Sequence, residues 1–212
     1  MPAFAPRQVF NAIAITNIIP YLYWKDRNMS NLFILILIPC SLLIIWLSWW
    51  ASIKEKRYHG LYRFFSFESI LLLILNNSSS WFLNPFSFAQ CLSWGLLLIS
   101  LILAVIGFLH LIERGRPQGR FENTTLLITS GTFRYIRHPL YCSLLLFGTG
   151  IWLKNPLNYL SLSLGIINAL AIYFTARQEE REMLKRFGDQ YRSYMRNTKM
   201  FIPFIFWLLI WY

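Results

Sequence analysis

Residues 88–112, FAQCLSWGLLLISLILAVIGFLHLI, contain no Asp, Glu, Lys or Arg. At about 1.5 Å per residue this run covers about 37 Å as a helix, enough to cross roughly 30 Å of hydrocarbon. Four further apolar runs, 32–53, 61–75, 140–153 and 157–176, flank it on both sides. They absorb about half of a chain that is 56% hydrophobic and 14% charged over 212 residues, so no separate soluble domain is expected. The expected fold is an all-α integral membrane protein with about five transmembrane helices and a cytoplasmic C-terminal amphipathic helix. It divides into an N-terminal transmembrane region, 1–112, and a site-bearing region, 113–212.

The connections alternate in charge. Lys54, Lys56, Arg57 and Arg63 follow the first run, and Arg114, Arg116, Arg120, Arg134 and Arg137 follow the third. Seven basic residues from Arg177 to Lys199 follow the fifth. The turns 76–87 and 154–156 contain only Lys154. The positive-inside bias assigns the three basic segments to the cytoplasm. The net charge of +11 is thereby explained by headgroups and insertion, and no aromatic-basic RNA signature points to nucleic acid. Two apolar segments are too short to cross comfortably: 9–24, interrupted by Asn11, Asn17 and Pro20, and 200–212, which contains Pro203. The start of the chain has no basic n-region or small-residue cleavage site, so it is expected to be retained. Cys40, Cys91 and Cys142 sit singly in apolar runs and read as buried helix thiols. No His/Cys/Asp/Glu set has metal-ligand spacing.

Two polar clusters carry the chemistry. In Gly131-Thr132-Phe133-Arg134-Tyr135-Ile136-Arg137-His138-Pro139-Leu140-Tyr141, proline stands at a first helical turn, where its missing N–H costs nothing. The following amides point out of a helix end whose dipole favours an anion. Read alone, this is an ordinary helix start with a snorkelling arginine. The second cluster, Glu179-Glu180, is expected to open a charged helix. There Glu179, Met183, Phe187 and Tyr191 recur every four residues on one face. Read alone, it is an acid-rich helix start. Together, an anion-accepting end, a carboxylate for a cation, and aromatic walls form a container for an amino-acid zwitterion bearing an aromatic base.

At these residues the chain resembles the integral-membrane isoprenylcysteine carboxyl methyltransferases and the related phospholipid methyltransferases. The resemblance covers about residues 118–203. It rests on Gly131, Phe133, Arg137-His138-Pro139 and Tyr141, on Glu179-Glu180 with Met183, Phe187-Gly188, Tyr191 and Tyr194, and on Ile202-Pro203. It implies S-adenosylmethionine as methyl donor, contacted by His138, Pro139, Leu140 and Tyr141 and by Glu179, with Glu180 close behind. It implies further contacts from Gln118, from Thr125, Leu126, Leu127 and Ile128, and from Phe133. Thr125 stands where the family has histidine, Phe133 where it has tyrosine, and Met183 where leucine is usual. The prenylcysteine enzymes carry an arginine facing the substrate carboxylate where this chain has Thr175, with Arg177 nearby but rotated around the helix.

The expected activity is S-adenosylmethionine-dependent methyl transfer to a lipophilic, membrane-embedded acceptor, an isoprenylcysteine-like carboxylate or a related lipid. The expected partners are thus a lipid-like or prenylated small molecule and the membrane. The expected location is a multi-pass membrane protein with its site facing the cytoplasm. Two alternatives stand beside it. One is a membrane reductase using a nicotinamide cofactor, with phosphate bound around Arg114, Arg116 and Arg120. The other is a non-catalytic membrane protein whose clusters only finish helix ends. Glu68, an acid inside an apolar run, is a candidate substrate contact together with Arg177. His110 reads as interfacial packing and His59 as a solvated loop residue.

Overall fold

Each apolar run becomes a helix that ends at an identifiable local signal. The computed structural model describes residues 31–48, 59–115 and 126–201, so Gln118, Thr125, the segment 9–24 and most of 200–212 lie outside the described residues. The helices are α1 (Asn31–Ser48), α2 (His59–Asn76), α3 (Phe88–Gly115), α4 (Pro139–Trp152), α5 (Tyr159–Phe187) and α6 (Asp189–Asn197). No strand occurs among the described residues; Ile136 and Lys199 form an isolated parallel bridge.

Three of the helices, α1, α3 and α5, are long and apolar enough to cross a membrane, against the expected count of about five. α2 has 18 residues but carries Arg63 and Glu68, and α4 has only 14. α1 is exposed along nearly all of its length.

Helix ends follow from side-chain chemistry. Pro139 occupies the first turn of α4, as its position in the sequence predicts. The α4–α5 hairpin turns at Asn155-Pro156, where the amides of Lys154 and Asn155 bond back to the carbonyls of Ile151 and Trp152. Asn158 then caps α5, its side chain accepting from the Ser161 amide at 3.0 Å. One expectation is corrected: no separate helix opens at Glu179-Glu180. Ala176-Arg177-Gln178 contains nothing that interrupts a helical ladder, so α5 continues unbroken through the change from apolar to charged residues. The break comes at Gly188, whose φ of +53° suits glycine and turns the chain into α6.

From α2 to α6 the helices pack in the order α3, α4, α5, α2. α4 lies between α3 and α5, and α5 lies against α2; α2 and α3 share no comparable interface. Ile70, Leu73, Ile151 and Leu164 form the buried apolar centre. Lipid tails are as apolar as leucine, so burial of such residues alone does not hold membrane helices together; close approach and interhelical hydrogen bonds do. Ser100 Oγ donates to the Ser143 carbonyl at 2.8 Å and Ser93 Oγ to the Gly150 carbonyl at 2.7 Å, joining α3 to α4. Asn168 Nδ2 donates to the Ser66 carbonyl at 3.1 Å, joining α5 to α2. At the hairpin end, buried Lys154 donates to Gln90 Oε1 at 2.9 Å and lies 3.6 Å from the Trp94 ring centre, which compensates its desolvation.

Gly148 marks the tightest approach. A Cβ there would lie 2.5 Å from Asn168 Oδ1, on a side chain already held by Ser66. A Cβ at Gly165 meets nothing closer than Trp152 at 3.8 Å. We predict that Gly148→Ala lowers stability by about 1–3 kcal/mol, while Gly165→Ala leaves it unchanged or raises it; thermal unfolding of both variants in detergent measures the contrast.

Candidate functional site

Antiparallel packing brings the start of α2, the end of α3, the start of α4 and the charged end of α5 to one end of the bundle. The loop 126–138 and α6 close over them, leaving a partly enclosed cavity of about 220 Å³. That is several times the roughly 30 Å³ share of one liquid water, so it accommodates an organic group.

The loop is held first from α3. The Thr132 amide donates to His110 Nδ1 at 3.3 Å, and Arg114 Nη1 donates to Ser130 Oγ at 2.7 Å. Gly131 makes this approach possible: its φ is +68°, and a Cβ would stand 2.7 Å from His110 Cε1. His110 is therefore a docking residue for the loop. Its lone position in an apolar run carried no sign of that in the sequence.

The loop is held next by the segment after α5. The amides of Arg137 and His138 donate to the carbonyls of Lys199 at 2.7 Å and Met200 at 3.2 Å. Tyr194 Oη donates to the Phe133 carbonyl at 2.5 Å, and Thr198 Oγ1 to the Arg134 carbonyl at 3.3 Å. Burial raises both the Tyr191 and Tyr194 hydroxyls well above the usual phenol range, with Glu180 adding to the shift. Both stay neutral, and Tyr194 remains a donor across the physiological range.

Arg137 is the hub. Nε donates to Glu180 Oε1 at 2.8 Å and Nη2 lies 2.7 Å from the same oxygen. Nη1 donates to the carbonyls of Met195, at 3.2 Å, and Thr198. The two side chains are 4% and 2% exposed, so this pair is desolvated; it engages Glu180 through Oε1, while the buried Oε2 makes no hydrogen bond. Arg137 thus ties α5, α6 and the loop together. Glu180 is committed to it and does not line the cavity.

Glu179, one position earlier, does line the cavity and is one-third exposed. His138 lies between the two acids, with Nδ1 3.8 Å from Glu179 Oε2 and Nε2 3.5 Å from Glu180 Oε1. Its buried Nε2 has no hydrogen-bond partner. Tyr141 stacks on the His138 ring at 5.5 Å between centres, and no side chain caps the start of α4.

The structure brings most of the expected residues together. Leu126, Leu127, Ile128 and Phe133 line the cavity from the loop, and His138, Pro139, Leu140 and Tyr141 line it from the start of α4. Glu179, Met183, Phe187 and Tyr191 line it as the expected four-residue face, which survives the turn at Gly188. Arg177 is half exposed and lies 3.7 Å from Glu180 Oε2, away from the cavity. Glu68 is half-buried on α2 and does not line it either. Thr175 is buried, its hydroxyl donating to the Ala171 carbonyl at 2.7 Å. Arg114 serves the loop rather than the cavity, while Arg116 and Arg120 lie outside the described residues. The lining residues that sequence reading did not select are Arg63 and Phe67 on α2, Leu111 on α3 and Leu144 on α4.

The sequence profile of a family described as a protein of unknown function (DUF1295) matches residues 44–198, a stretch that contains every residue lining the cavity. The chain belongs to the DUF1295 family. It is similar to protein-S-isoprenylcysteine O-methyltransferase of Rattus norvegicus, 29% identical over 124 residues, which cover 56% of this chain and 38% of the relative. It is similar to a probable protein-S-isoprenylcysteine O-methyltransferase of Oryza sativa subsp. japonica, 30% identical over 125 residues, 53% of this chain and 63% of the relative. It is also similar to methanethiol S-methyltransferase of Pseudomonas deceptionensis, 25% identical over 120 residues, 53% of this chain and 42% of the relative. The chain spans less than two thirds of the length of each. No solved structure matches it.

For this DUF1295 chain, removing Arg137 leaves Glu180 buried without its counter-charge and frees two carbonyls. We predict that Arg137→Ala lowers stability by about 3–5 kcal/mol, and that adding Glu180→Gln restores part of the loss. Thermal midpoints of the single and double variants test this; equal midpoints for wild type and Arg137→Ala would dissolve the hub.

Proposed function

We propose that this chain is an S-adenosylmethionine-dependent membrane methyltransferase acting on a lipophilic acceptor. The observation that carries the reading is that Glu179, His138 and the uncapped start of α4 border one cavity, although about forty residues separate the two clusters. The relatives named as methyltransferases support it independently.

The cavity fits the donor chemically. Glu179 is a partly exposed carboxylate suited to the ammonium or sulfonium cation. The amides of Leu140 and Tyr141, past Pro139, suit the carboxylate at a helix N-terminus. The unpartnered His138 Nε2 offers a hydrogen bond, and Phe133, Tyr141 and Phe187 offer aromatic surface to a base. When bound, S-adenosylmethionine supplies an activated methyl group on a sulfonium. The residues of the chain orient donor and acceptor in line and exclude water. Arg137 and Glu180 act as a frame that holds His138 in place.

In this reading residues 1–112 form the N-terminal transmembrane region and 113–212 the cofactor-binding region. About five segments cross the bilayer, with the shorter α2 and α4 accommodated by tilt or local thinning. The basic connections support a site facing the cytoplasm, with α6 as an amphipathic helix on that side. Gln118 and Thr125 keep the family's cofactor role as part of this proposal; Glu179 is the acid assigned to direct contact, and Glu180 acts only through its pairing with Arg137.

Calorimetric titration of the purified protein with S-adenosylmethionine or its demethylated product is expected to give saturable binding. Glu179→Gln weakens that binding roughly tenfold or more, as expected for loss of a charge-assisted contact, while the protein stays folded. His138→Ala and Tyr141→Ala impair methyl transfer from labelled donor. Unchanged affinity in Glu179→Gln refutes the assignment, and absence of any saturable binding by the wild type refutes the activity.

A further inference from the structure

The loop 126–138 presents two faces. Ile128 and Phe133 are buried and line the cavity described above. Their successors, Thr129 and Arg134, are exposed and line a second, open cleft of about 400 Å³. Gln190, Ser193 and Asn197 line that cleft from α6, at the three- and four-residue spacings that share a helix face. Tyr194 borders both spaces. Most of the polar side chains of the cleft have no partner in the protein. Thr198 Oγ1 donates to the Arg134 carbonyl at 3.3 Å, and Asn197 Nδ2 to the Ser193 carbonyl at 3.2 Å. The Arg134 guanidinium, the Gln190 side-chain amide and the Thr129 and Ser193 hydroxyls engage no protein group among the described residues. No Asp or Glu among the described residues lines the cleft, and Asp189 at the start of α6 is held by Arg192 at 2.9 Å.

We propose that this cleft is a phosphate site, in which Arg134 holds a phosphate carried by an anionic phospholipid headgroup or free in solution. The inference stands apart from the methyl-transfer reading and does not need it. A guanidinium fork pairs bidentately with a phosphate, and the hydroxyl and amide donors of the cleft are suited to its remaining oxygens. A carboxylate, with two oxygens, leaves such donors unused. A cationic ligand is disfavoured, because the lining carries an arginine and no acid to offset it. A phosphate in the cleft meets the loop and α6 together. It adds to the ties that already join them, such as the bonds from Tyr194 to the Phe133 carbonyl and from Thr198 to the Arg134 carbonyl. Occupancy therefore stabilises the folded protein by mass action and braces the loop that walls the first cavity.

The experiment follows the thermal midpoint of the full-length protein, in a detergent without phosphate, as two probes are titrated at constant ionic strength: short-chain phosphatidylglycerol and inorganic phosphate. A saturable rise is expected with at least one of them. Saturation by phosphatidylglycerol alone assigns the site to a lipid headgroup, and saturation by inorganic phosphate as well assigns it to the phosphate group itself. Arg134→Gln is expected to keep the midpoint of the unliganded protein, because its side chain has no protein partner, and to raise the half-saturating concentration roughly tenfold or more, as for loss of a charge-assisted contact. Arg134→Lys, which keeps the charge but not the fork, falls between the two. Arg181→Gln removes the same charge from an exposed position on α5 outside the cleft and leaves half-saturation unchanged. No saturable rise with either probe, an unchanged half-saturation in Arg134→Gln, or an equal loss in Arg181→Gln overturns the proposal. None of these results bears on the donor cavity, whose titration with S-adenosylmethionine is separate.

Discussion

The site end of this molecule depends on one desolvated ion pair. Arg137 and Glu180 come from a loop and from the middle of a long helix, and neither is stable buried alone. Their pairing at 2.7–2.8 Å, completed by the carbonyls of Met195 and Thr198, satisfies four donor contacts of one guanidinium. Three separate pieces of chain are thereby forced into a single arrangement. Such pairs contribute less to net stability than their Coulomb energy implies, because desolvation offsets most of it. Their value here is geometric: the arrangement that satisfies Arg137 is the one that sets His138 beside Glu179.

The adjacent acids consequently have different tasks. Glu180 faces inward to the arginine at 2% exposure, whereas Glu179, rotated by about 100° on an α-helix, meets the cavity at one-third exposure. His138 stands between them and keeps Nε2 without a partner. A buried polar atom lacking a hydrogen bond is costly in a protein interior, and this one stands 3.5 Å from Glu180 Oε1. The same division appears among the arginines. Arg137 joins the loop to α5 and α6, Arg114 holds the loop from α3, and Arg63 lines the cavity from α2.

Much of this was legible without coordinates. Apolar runs located α2, α3, α4 and the start of α5 within a few residues, whereas α5 ends eleven residues beyond the run 157–176. Pro139 and Pro156 marked helix boundaries through the amide that proline lacks. The four-residue spacing of Glu179, Met183 and Phe187 reported a shared face, since helical geometry is local. The misreadings have a common origin. A helix start was placed at Glu179 because acids favour that position, yet nothing in Ala176-Arg177-Gln178 stops a helix, and propensity yielded to continuity. His110 looked like packing because the Thr132 amide it accepts from lies 22 residues away along the chain, and Arg63 was counted only among the basic residues after the first run.

By itself, then, the sequence determined that the chain is helical and apolar, where most helices begin and end, and which side chains share a helical face; these follow from periodicity and local hydrogen bonding. Tertiary structure alone decided which glutamate is buried and which reaches the cavity, that Arg137 closes a hub with α6, and that Arg63 enters the cavity wall. Those outcomes depend on how helices distant in sequence are rotated and set in depth against one another, and no local pattern encodes rotation or depth.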